Sequence, residues 1–523
     1  MHQVNNIKEN SAMTLQSAGV WKQGSPVAFP SQVPRTTTQG PRSDDVRGDQ
    51  PVGDQSVTLV AGVADEELRS EEKEGLSQMV DYINMGSTTR AIILAGGEQK
   101  NPLTQYRAMP AVPIGSCMML IDVPINNCLS AGINKLYVLT QFQSHQVNSH
   151  IASAYPPQGV GARQSGWVDV LAAQQTVSAK EWYKGSADAI RRNLVELKDE
   201  ARGVEPAEDY VIMSGSAMYN MDLARVVGYH RMKKADITIC SLQVDGDVAG
   251  SKGVVLADAV GRVSGFHEKP GARVTDLLDG DNQALVSMGV YVIKRDMMLR
   301  LLEDGGGDGS SEVGKGGRRM EHIGHHLIPA ALEGGARVFT YEHHGYWKDV
   351  STLKDYYEAN IALTSKSKAP IKFFELERAI SAKMGKMLPP AKMCGSVEID
   401  ESILGDGSIL SDGCVTRRSI IGENVLVGAG SVIEDSLLLG SPVWTSESQR
   451  AAAKARGDLI FGVGEQAHLR RCVVDENAYI GDGCIIRNDA MVMEADRSAE
   501  GYMIQDGLVV VLKNAVIPDG TVI

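Results

Sequence analysis

The sequence predicts two folded domains, an α/β domain followed by a parallel β-helix. In the first domain, short apolar segments such as residues 90–94, 135–140 and 237–244 alternate with helix-like segments. This alternation is typical of a mostly parallel sheet that is covered by helices. From about Val397, apolar residues instead recur at every sixth position. That period fits neither an α-helix nor an ordinary strand, and it is typical of stacked hexapeptide coils.

The apolar positions of the second domain keep one phase over three blocks of sequence. We expect each coil to bury one of these residues on each of its sides, and its open ends to favour oligomerisation. Residues 440–465 interrupt the pattern, and we expect a loop there. The apolar positions are Ile403, Ile409, Val415, Ile421, Val427, Ile433 and Leu439, then Val474, Ile480, Ile486 and Val492, then Ile504, Val510, Val516 and Val522.

The composition excludes two classes of partner. The chain has 523 residues and a net charge of -13, so it lacks the basic surface that nonspecific nucleic-acid binding requires. It has no run of about 18 apolar residues, so we expect no membrane span. Hydrophobic residues make up 43% of the chain, which is ample for large cores.

The N-terminal segment differs in composition from the rest of the chain. Residues 1–42 are rich in Ser, Thr, Gln and Pro, and residues 43–77 are acidic. The segment has no apolar core of the kind that a secretory signal needs. A plastid transit peptide and a disordered extension are both open interpretations. We therefore divide the chain into residues 1–87, an α/β domain over 88–380 with a loop insertion at 305–319, and a β-helix over 390–523.

Several sequence motifs resemble those of the glucose-1-phosphate adenylyltransferases (ADP-glucose pyrophosphorylases) of plants and algae. They include Pro102-Leu-Thr, Arg107-Ala-Met-Pro-Ala-Val, Gly185-Ser-Ala-Asp, Glu268-Lys-Pro and Tyr346-Trp-Lys-Asp. The resemblance implies a Rossmann-like nucleotidyltransferase domain and a left-handed β-helix. It also implies a reaction of ATP with glucose 1-phosphate, assisted by Mg²⁺, that gives ADP-glucose and pyrophosphate. The C-terminal motifs resemble the large subunit and residues 170–175 the small subunit, so the subunit class stays open.

The catalytic motifs depart from the family pattern at three places. The glycine-rich loop retains Gly96 and Gly97 but is two residues short and lacks a Thr-Arg pair, so that Lys100 is the candidate substitute cation. Met109 stands where the family has a phosphate-binding lysine. Ser216 stands where the family has the aspartate that holds Mg²⁺. Because phosphoryl transfer depends on neutralising charge, we expect impaired catalysis.

Other motif positions are those that the family uses for binding. The resemblance assigns Gln175 to adenine and Asp349 to a metal ion. It assigns Arg471 and Lys513 to a phosphorylated effector such as 3-phosphoglycerate or phosphate, although Glu476 replaces a lysine of that site. The positions assigned to the sugar phosphate are Gly253, Glu268, Lys269 and Ser287. Two His-His pairs, His325-His326 and His343-His344, have no third metal ligand at a fixed spacing.

Three hypotheses for the function follow. The first is a regulatory subunit in a heterotetramer with a catalytic small subunit, acting in starch synthesis in the plastid, with the cytoplasm as the alternative location. The second is a slow but active adenylyltransferase. The third is a non-catalytic sensor of sugar phosphates or nucleotides that acts outside the enzyme.

Overall fold

In a computed structural model, the structure describes residues 85–97, 101–156, 166–173, 182–198, 205–277, 282–304, 320–367, 369–371, 388–456 and 461–523. The predicted targeting segment, apart from residues 85–87, and the predicted loop at 305–319 lie outside these residues. Lys100 and Gln175 also lie outside them. The described residues all belong to one compact unit.

A mixed sheet forms the centre of the first domain. Among the described residues its order is β7-β6-β8-β4-β1-β2-β3, and β5 joins β8 to β9. Strands β1 to β4 are parallel where they pair, as predicted, whereas β8 is antiparallel to β4, β5 and β6. The strands are β1 (Thr89–Ala95), β2 (Lys135–Thr140), β3 (Trp167–Ala172), β4 (Asp209–Ser214), β5 (Ile237–Asp245), β6 (Gly253–Ala257), β7 (Val263–Glu268), β8 (Gln283–Lys294) and β9 (Val338–Glu342).

Both faces of this sheet are buried, which explains its unbroken apolar segments. In β1, Ala91 and Ile93 belong to one core and Ile92 to another, because successive side chains point to opposite faces. None of the helices that the structure describes is long and apolar enough to cross a bilayer. The longer helices of this domain are Asp122–Ser130, His145–Ala154, Ser186–Arg192, Leu223–Met232, Arg295–Asp304, Ile328–Glu333 and Leu353–Thr364.

Short elements complete the first domain. The helical turns are Met85–Thr88, Pro102–Thr104, Met109–Ala111, Leu194–Leu197, Gly246–Ala249, Gly271–Leu277 and the π-helix Ile323–Leu327. Pro113–Ile114 pairs with Met118–Met119, and Ala217–Tyr219 pairs with Trp347–Asp349. The last pair brings the segment after β4 beside the segment that carries Asp349.

Three columns of short parallel strands form the second domain, as the six-residue period predicted. The first column is Lys392–Met393, Ile409–Leu410, Leu426–Val427, Gly462–Val463, Tyr479–Ile480 and Val516–Ile517. The second is Glu398–Asp400, Val415–Arg417, Val432–Glu434, His468–Arg470 and Ile485–Ile486. The third is Ile403–Leu404, Ile420–Ile421, Leu437–Leu438, Cys472–Val474 and Leu508–Val511, to which Tyr502–Gln505 and Ala495–Arg497 add antiparallel.

The coil is one residue shorter than three hexapeptides, and this corrects the predicted interior. Ile409 pairs with Leu426, so one turn advances 17 residues. A period of 6 residues followed back from Ile421 therefore slips by one position per turn. Leu410 is fully buried, while Ile409 is only partly buried. The expected loop at 440–465 is also partly wrong, because it contains the helix Glu447–Arg456.

The two domains share a core. The third column of the β-helix contributes Ile420, Val473 and Val510 to an apolar cluster that also contains Met109 and Leu353. Tyr357 Oη, on the helix Leu353–Thr364, donates to the carbonyl of Asp435 at 2.6 Å. The β-helix is therefore packed directly behind the segment that carries Met109.

Candidate functional site

A cavity of about 670 Å³ opens at the carboxyl ends of β1, β2 and β4. In an α/β sheet this edge is where ligands bind. Its wall contains Gly96 and Gly97 after β1, and Ser214 and Ser216 at the end of β4. The chain thus brings the predicted phosphate loop and the predicted metal position to one cavity.

The two loop glycines differ in their surroundings. A Cβ built on Gly96 would lie 3.0 Å from the Cβ of Gln141, so this position requires a small residue. A Cβ on Gly97 would meet nothing within 4 Å. Gly96 therefore allows close packing of the loop against β2, whereas Gly97 faces open space in the cavity.

Met109 lines the cavity as an apolar group. It begins the helical turn Met109–Ala111 and is 1% exposed. Its neighbours include Leu103 and the β-helix residues of the shared core. Methionine carries no charge, so this part of the wall supplies no cation for a phosphate.

Ser216 is held by its own segment. Its hydroxyl lies 3.1 Å from the hydroxyl of Ser214, and its backbone N–H also donates to Ser214 Oγ. Its carbonyl accepts a hydrogen bond from the N–H of Val350 at 2.9 Å. The position after β4 therefore presents a neutral hydroxyl to the cavity.

Asp349 is paired with a lysine. Lys252 Nζ donates to Asp349 Oδ2 at 2.5 Å, and the same ammonium group lies over the Trp347 ring. Asp349 is not among the residues that line the cavity. Within the described residues, no group of three or more His, Cys, Asp or Glu side chains is arranged to hold a metal ion. A hard cation prefers carboxylate oxygens, so the Ser216 hydroxyl and the lysine-paired Asp349 do not fit Mg²⁺.

The sugar-phosphate side brings charged groups into the cavity. Glu268 and Lys269 both line it, at the end of β7. Lys269 has a φ of 48°, a conformation that a lysine rarely adopts, and its N–H donates to the carbonyl of Lys252. Gly253 does not line the cavity. A Cβ there would lie 2.9 Å from Glu268 Oε2, so Gly253 leaves room for that carboxylate.

Ser287 acts one layer behind the cavity wall. It is buried, and its hydroxyl donates to Tyr291 Oη at 3.1 Å. The N–H of Gly289 donates to the same hydroxyl oxygen. Tyr291 and Gly289 line the cavity and Ser287 does not, so Ser287 positions the wall.

Sequence reasoning missed three groups that line the same cavity, namely Lys184, His322 and His325. His325 was noted only as half of a His-His pair. The available signal was the spacing of His322, His325 and His326, since positions i, i+3 and i+4 share one helical face. The other pair, His343-His344, is not among the residues that line this cavity.

The predicted effector cations are not joined to each other. Lys513 Nζ donates to Glu476 Oε2 at 2.6 Å, and Arg107 Nη1 lies 3.1 Å from the same oxygen. Arg107 also donates to Asp475, and both are almost completely buried. Arg471 is exposed on the β-helix, and no ion pair links it to Lys513 among the described side chains.

Burial disfavours the charge of Arg107, but Asp475 and Glu476 outweigh it and raise the pKa of the guanidinium above its ordinary value. Arg107 belongs to the first domain, and the two carboxylates belong to the β-helix. The effector position is therefore occupied by an internal ion cluster that connects the domains.

Comparisons with known proteins agree with this architecture. Residues 90–366 match the nucleotidyl transferase family, and residues 386–522 match the GLGC left-handed parallel beta-helix domain. The chain is 36% identical over 450 residues to the chloroplastic/amyloplastic glucose-1-phosphate adenylyltransferase small subunit of Triticum aestivum, which covers 83% of this chain and 90% of the wheat protein. With both domains and the cavity matching what the motifs predicted, this chain belongs to the glucose-1-phosphate adenylyltransferase family.

Proposed function

We propose that this chain is a regulatory-type subunit of a glucose-1-phosphate adenylyltransferase, with little turnover of its own. One observation carries the proposal. A single cavity has Glu268 and Lys269 at one end, whereas Met109 and Ser216 at the other end carry no charge. The cavity retains groups suited to a sugar phosphate and lacks groups that would neutralise a reacting triphosphate.

The size of the expected defect follows from the chemistry. In the family reaction, the phosphate oxygen of glucose 1-phosphate attacks the α-phosphorus of ATP, and charge builds on the phosphoryl oxygens. Removing one group that stabilises such charge typically costs about 10²- to 10³-fold in rate. Met109 and Ser216 each lack such a group, so we expect the isolated chain to be slower than an intact enzyme by several powers of ten.

We further propose that the active chemistry belongs to a catalytic partner of the same family. The wheat relative is named as a small subunit, which implies a multi-subunit enzyme, and it is named as chloroplastic/amyloplastic. A plastid heterotetramer that makes ADP-glucose for starch is the corresponding proposal for this chain. Met491, Met493 and Val522 are exposed near the C-terminal end of the β-helix, which supports assembly.

The internal ion cluster affects how the assembly would respond to effectors. Because Glu476 already neutralises Lys513, a phosphorylated effector such as 3-phosphoglycerate has to compete with a bound carboxylate. We therefore propose that the response of this chain to such effectors is weak.

The test is pyrophosphate release from ATP and glucose 1-phosphate, with this chain alone and then mixed with a catalytic small subunit. We expect no measurable turnover alone and a changed rate or effector response in the mixture. The variant Lys269→Met, mixed in the same way, shows whether this effect requires sugar-phosphate binding.

Two outcomes contradict the proposal. A normal rate for the isolated chain identifies an ordinary catalyst and overturns the interpretation of Met109 and Ser216. No effect on a catalytic subunit that is shown to be active favours a sensor that acts outside the enzyme.

A further inference from the structure

The sugar-phosphate end of the cavity is rich in nitrogen bases. Lys184, Lys269, His322 and His325 all line it. Among its described lining residues, Glu268 alone carries a carboxylate. Gly324 and His325 also border an adjoining cavity of about 510 Å³ together with Lys269, so His325 and Lys269 lie at the same partition between two cavities.

Three imidazoles form a compact group on the turn Ile323–Leu327 and the residue before it. The ring centroid of His322 lies 5.9 Å from those of His325 and His326, and the last two are 6.3 Å apart. The backbone N–H of His322 donates to His326 Nδ1 at 3.1 Å. That hydrogen bond requires an unprotonated Nδ1, so it favours neutral His326 and leaves His322 and His325 as the rings able to take up a proton.

The surroundings of these rings are mixed in charge. The ring of His322 packs on Gly185, where a Cβ would lie 2.6 Å from its Nδ1. Burial, then His325 and His326, lower the pKa of His322 below its ordinary value, while Glu321 and Glu268 act in the opposite direction. The titratable and charged groups on the neighbouring elements are Tyr183, Lys184, Asp188, His267, Glu268, Lys269, Arg273, Asp276, Tyr291 and Glu321.

We propose that His322 and His325 form a proton-linked subsite for a phosphomonoester dianion, next to Lys269. This inference rests on the proposed binding of a sugar phosphate in the same cavity. The ligand-free rings are neutral at neutral pH, and a bound dianion stabilises their protonated form. Binding therefore takes up protons, and protonated rings supply positive charge at the opposite end of the cavity from Met109.

The direction of the pH dependence follows from linkage. A group whose pKa rises on binding makes the complex stronger at low pH and weaker at high pH, by at most about tenfold per pH unit for each proton. We expect the affinity for a dianion to fall by about tenfold between pH 6 and pH 8. Glucose 1-phosphate itself titrates near pH 6, so sulfate, which stays a dianion over this range, is the better probe.

The experiment is titration calorimetry of the full chain with sulfate at pH 6, 7 and 8. At pH 7 the titration is repeated in two buffers of different ionisation enthalpy, which measures the protons taken up. Glucose 1-phosphate is titrated at pH 8 as a separate test of the proposed function. The variants are His322→Gln/His325→Gln and the control His344→Gln, whose ring is 76% exposed and is not among the cavity-lining residues.

We expect proton uptake and pH-dependent sulfate affinity in the unmodified chain and in the control, and neither in the double variant. Binding of both anions without proton uptake overturns the inference and leaves the proposed function intact. Failure to bind glucose 1-phosphate at any pH overturns the proposed function itself. A double variant that keeps full proton uptake assigns the protons to other groups and also overturns the inference.

Discussion

The carboxylate of Glu476 lies 2.6 Å from the ammonium group of Lys513. Both residues follow strands of the third column of the β-helix, and Glu476 also faces Arg107 of the first domain. Two cations and two carboxylates thus balance in a nearly dry interface. An anionic ligand gains no unpaired cation there, which is why the replacement of one lysine by Glu476 changes the whole cluster.

Replacing this carboxylate tests whether it stands in for an anion. In Glu476→Lys, Arg107, Lys513 and the new lysine lack a counter-charge, so we expect a loss of stability of about 3–5 kcal/mol. Added 3-phosphoglycerate should restore part of the lost thermal midpoint in this variant. The midpoint of the unmodified chain should not respond. Glu476→Gln, which removes charge without adding any, is the matched control, and equal stabilisation of all three proteins contradicts the expectation.

Arg107 provides a comparison between buried and exposed ion pairs. Arg107→Met leaves two carboxylates at a buried interface, and we expect it to cost about 3–5 kcal/mol in urea unfolding. Arg417→Met is the control, because Arg417 also bridges two carboxylates, Glu398 and Glu434, but on an exposed face of the β-helix. Exposed pairs contribute little, so the loss in Arg417→Met should be far smaller. Similar losses in both variants would show that the interface is not dry.

The length of the coil can be tested with neighbouring residues. Leu410 is fully buried inside the β-helix, so Leu410→Ala should cost about 2–5 kcal/mol. Ile409→Ala, one position earlier, should cost clearly less because Ile409 lies at the outer side of the strand and is partly buried. Chemical unfolding of the two variants gives the comparison. The reverse order of losses would support a coil of 18 residues and contradict the structure.

Gly324 controls the position of Glu268. A Cβ on Gly324 would lie 2.2 Å from Glu268 Oε2, so Gly324→Ala has to displace that carboxylate from its place in the cavity. We expect about a tenfold weaker affinity for glucose 1-phosphate, measured by calorimetry, as the loss of one charged contact. Gly97→Ala is the control, because its Cβ would meet nothing. An unchanged affinity in Gly324→Ala would remove Glu268 from the proposed binding site.

Restoring a carboxylate tests the interpretation of Ser216. We expect the unmodified chain to show no change in thermal midpoint on adding Mg²⁺. In Ser216→Asp/Lys252→Met, the new carboxylate and the released Asp349 are carried by neighbouring strands, so Mg²⁺ should raise the midpoint. Ser216→Asn/Lys252→Met is the neutral control. Stabilisation of the unmodified chain by Mg²⁺ contradicts the interpretation.

The parts of the fold that follow local chemistry were predictable from the sequence. The apolar segments of β1, β2 and β5 are continuous because both faces of the sheet are covered, and their bounds agree with the prediction within two residues. The six-residue period likewise indicated the β-helix. The position of its interior was predicted one residue early in the first coil, because the period cannot reveal that a turn closes after 17 residues.

The site was predictable where it depends on motifs and not where it depends on pairing across the chain. Glu268, Lys269, Met109 and Ser216 meet in the cavity because they follow strands of the same sheet. Nothing local indicates that Lys252 pairs with Asp349, or that Arg107 reaches Asp475 and Glu476. Such partners are far apart in sequence, and only the packing of the two domains brings them together.

The 17-residue turn gives the β-helix something like a reading frame. Between Leu426 and its partner Gly462 the chain inserts a segment that includes the helix Glu447–Arg456, and then re-enters the same column. Deleting one residue within a coil would turn every later side chain of that strand toward the wrong face. Removing the inserted segment as a whole would leave the columns aligned. Length variation in this domain should therefore be tolerated in whole coils or whole insertions, and not in single residues.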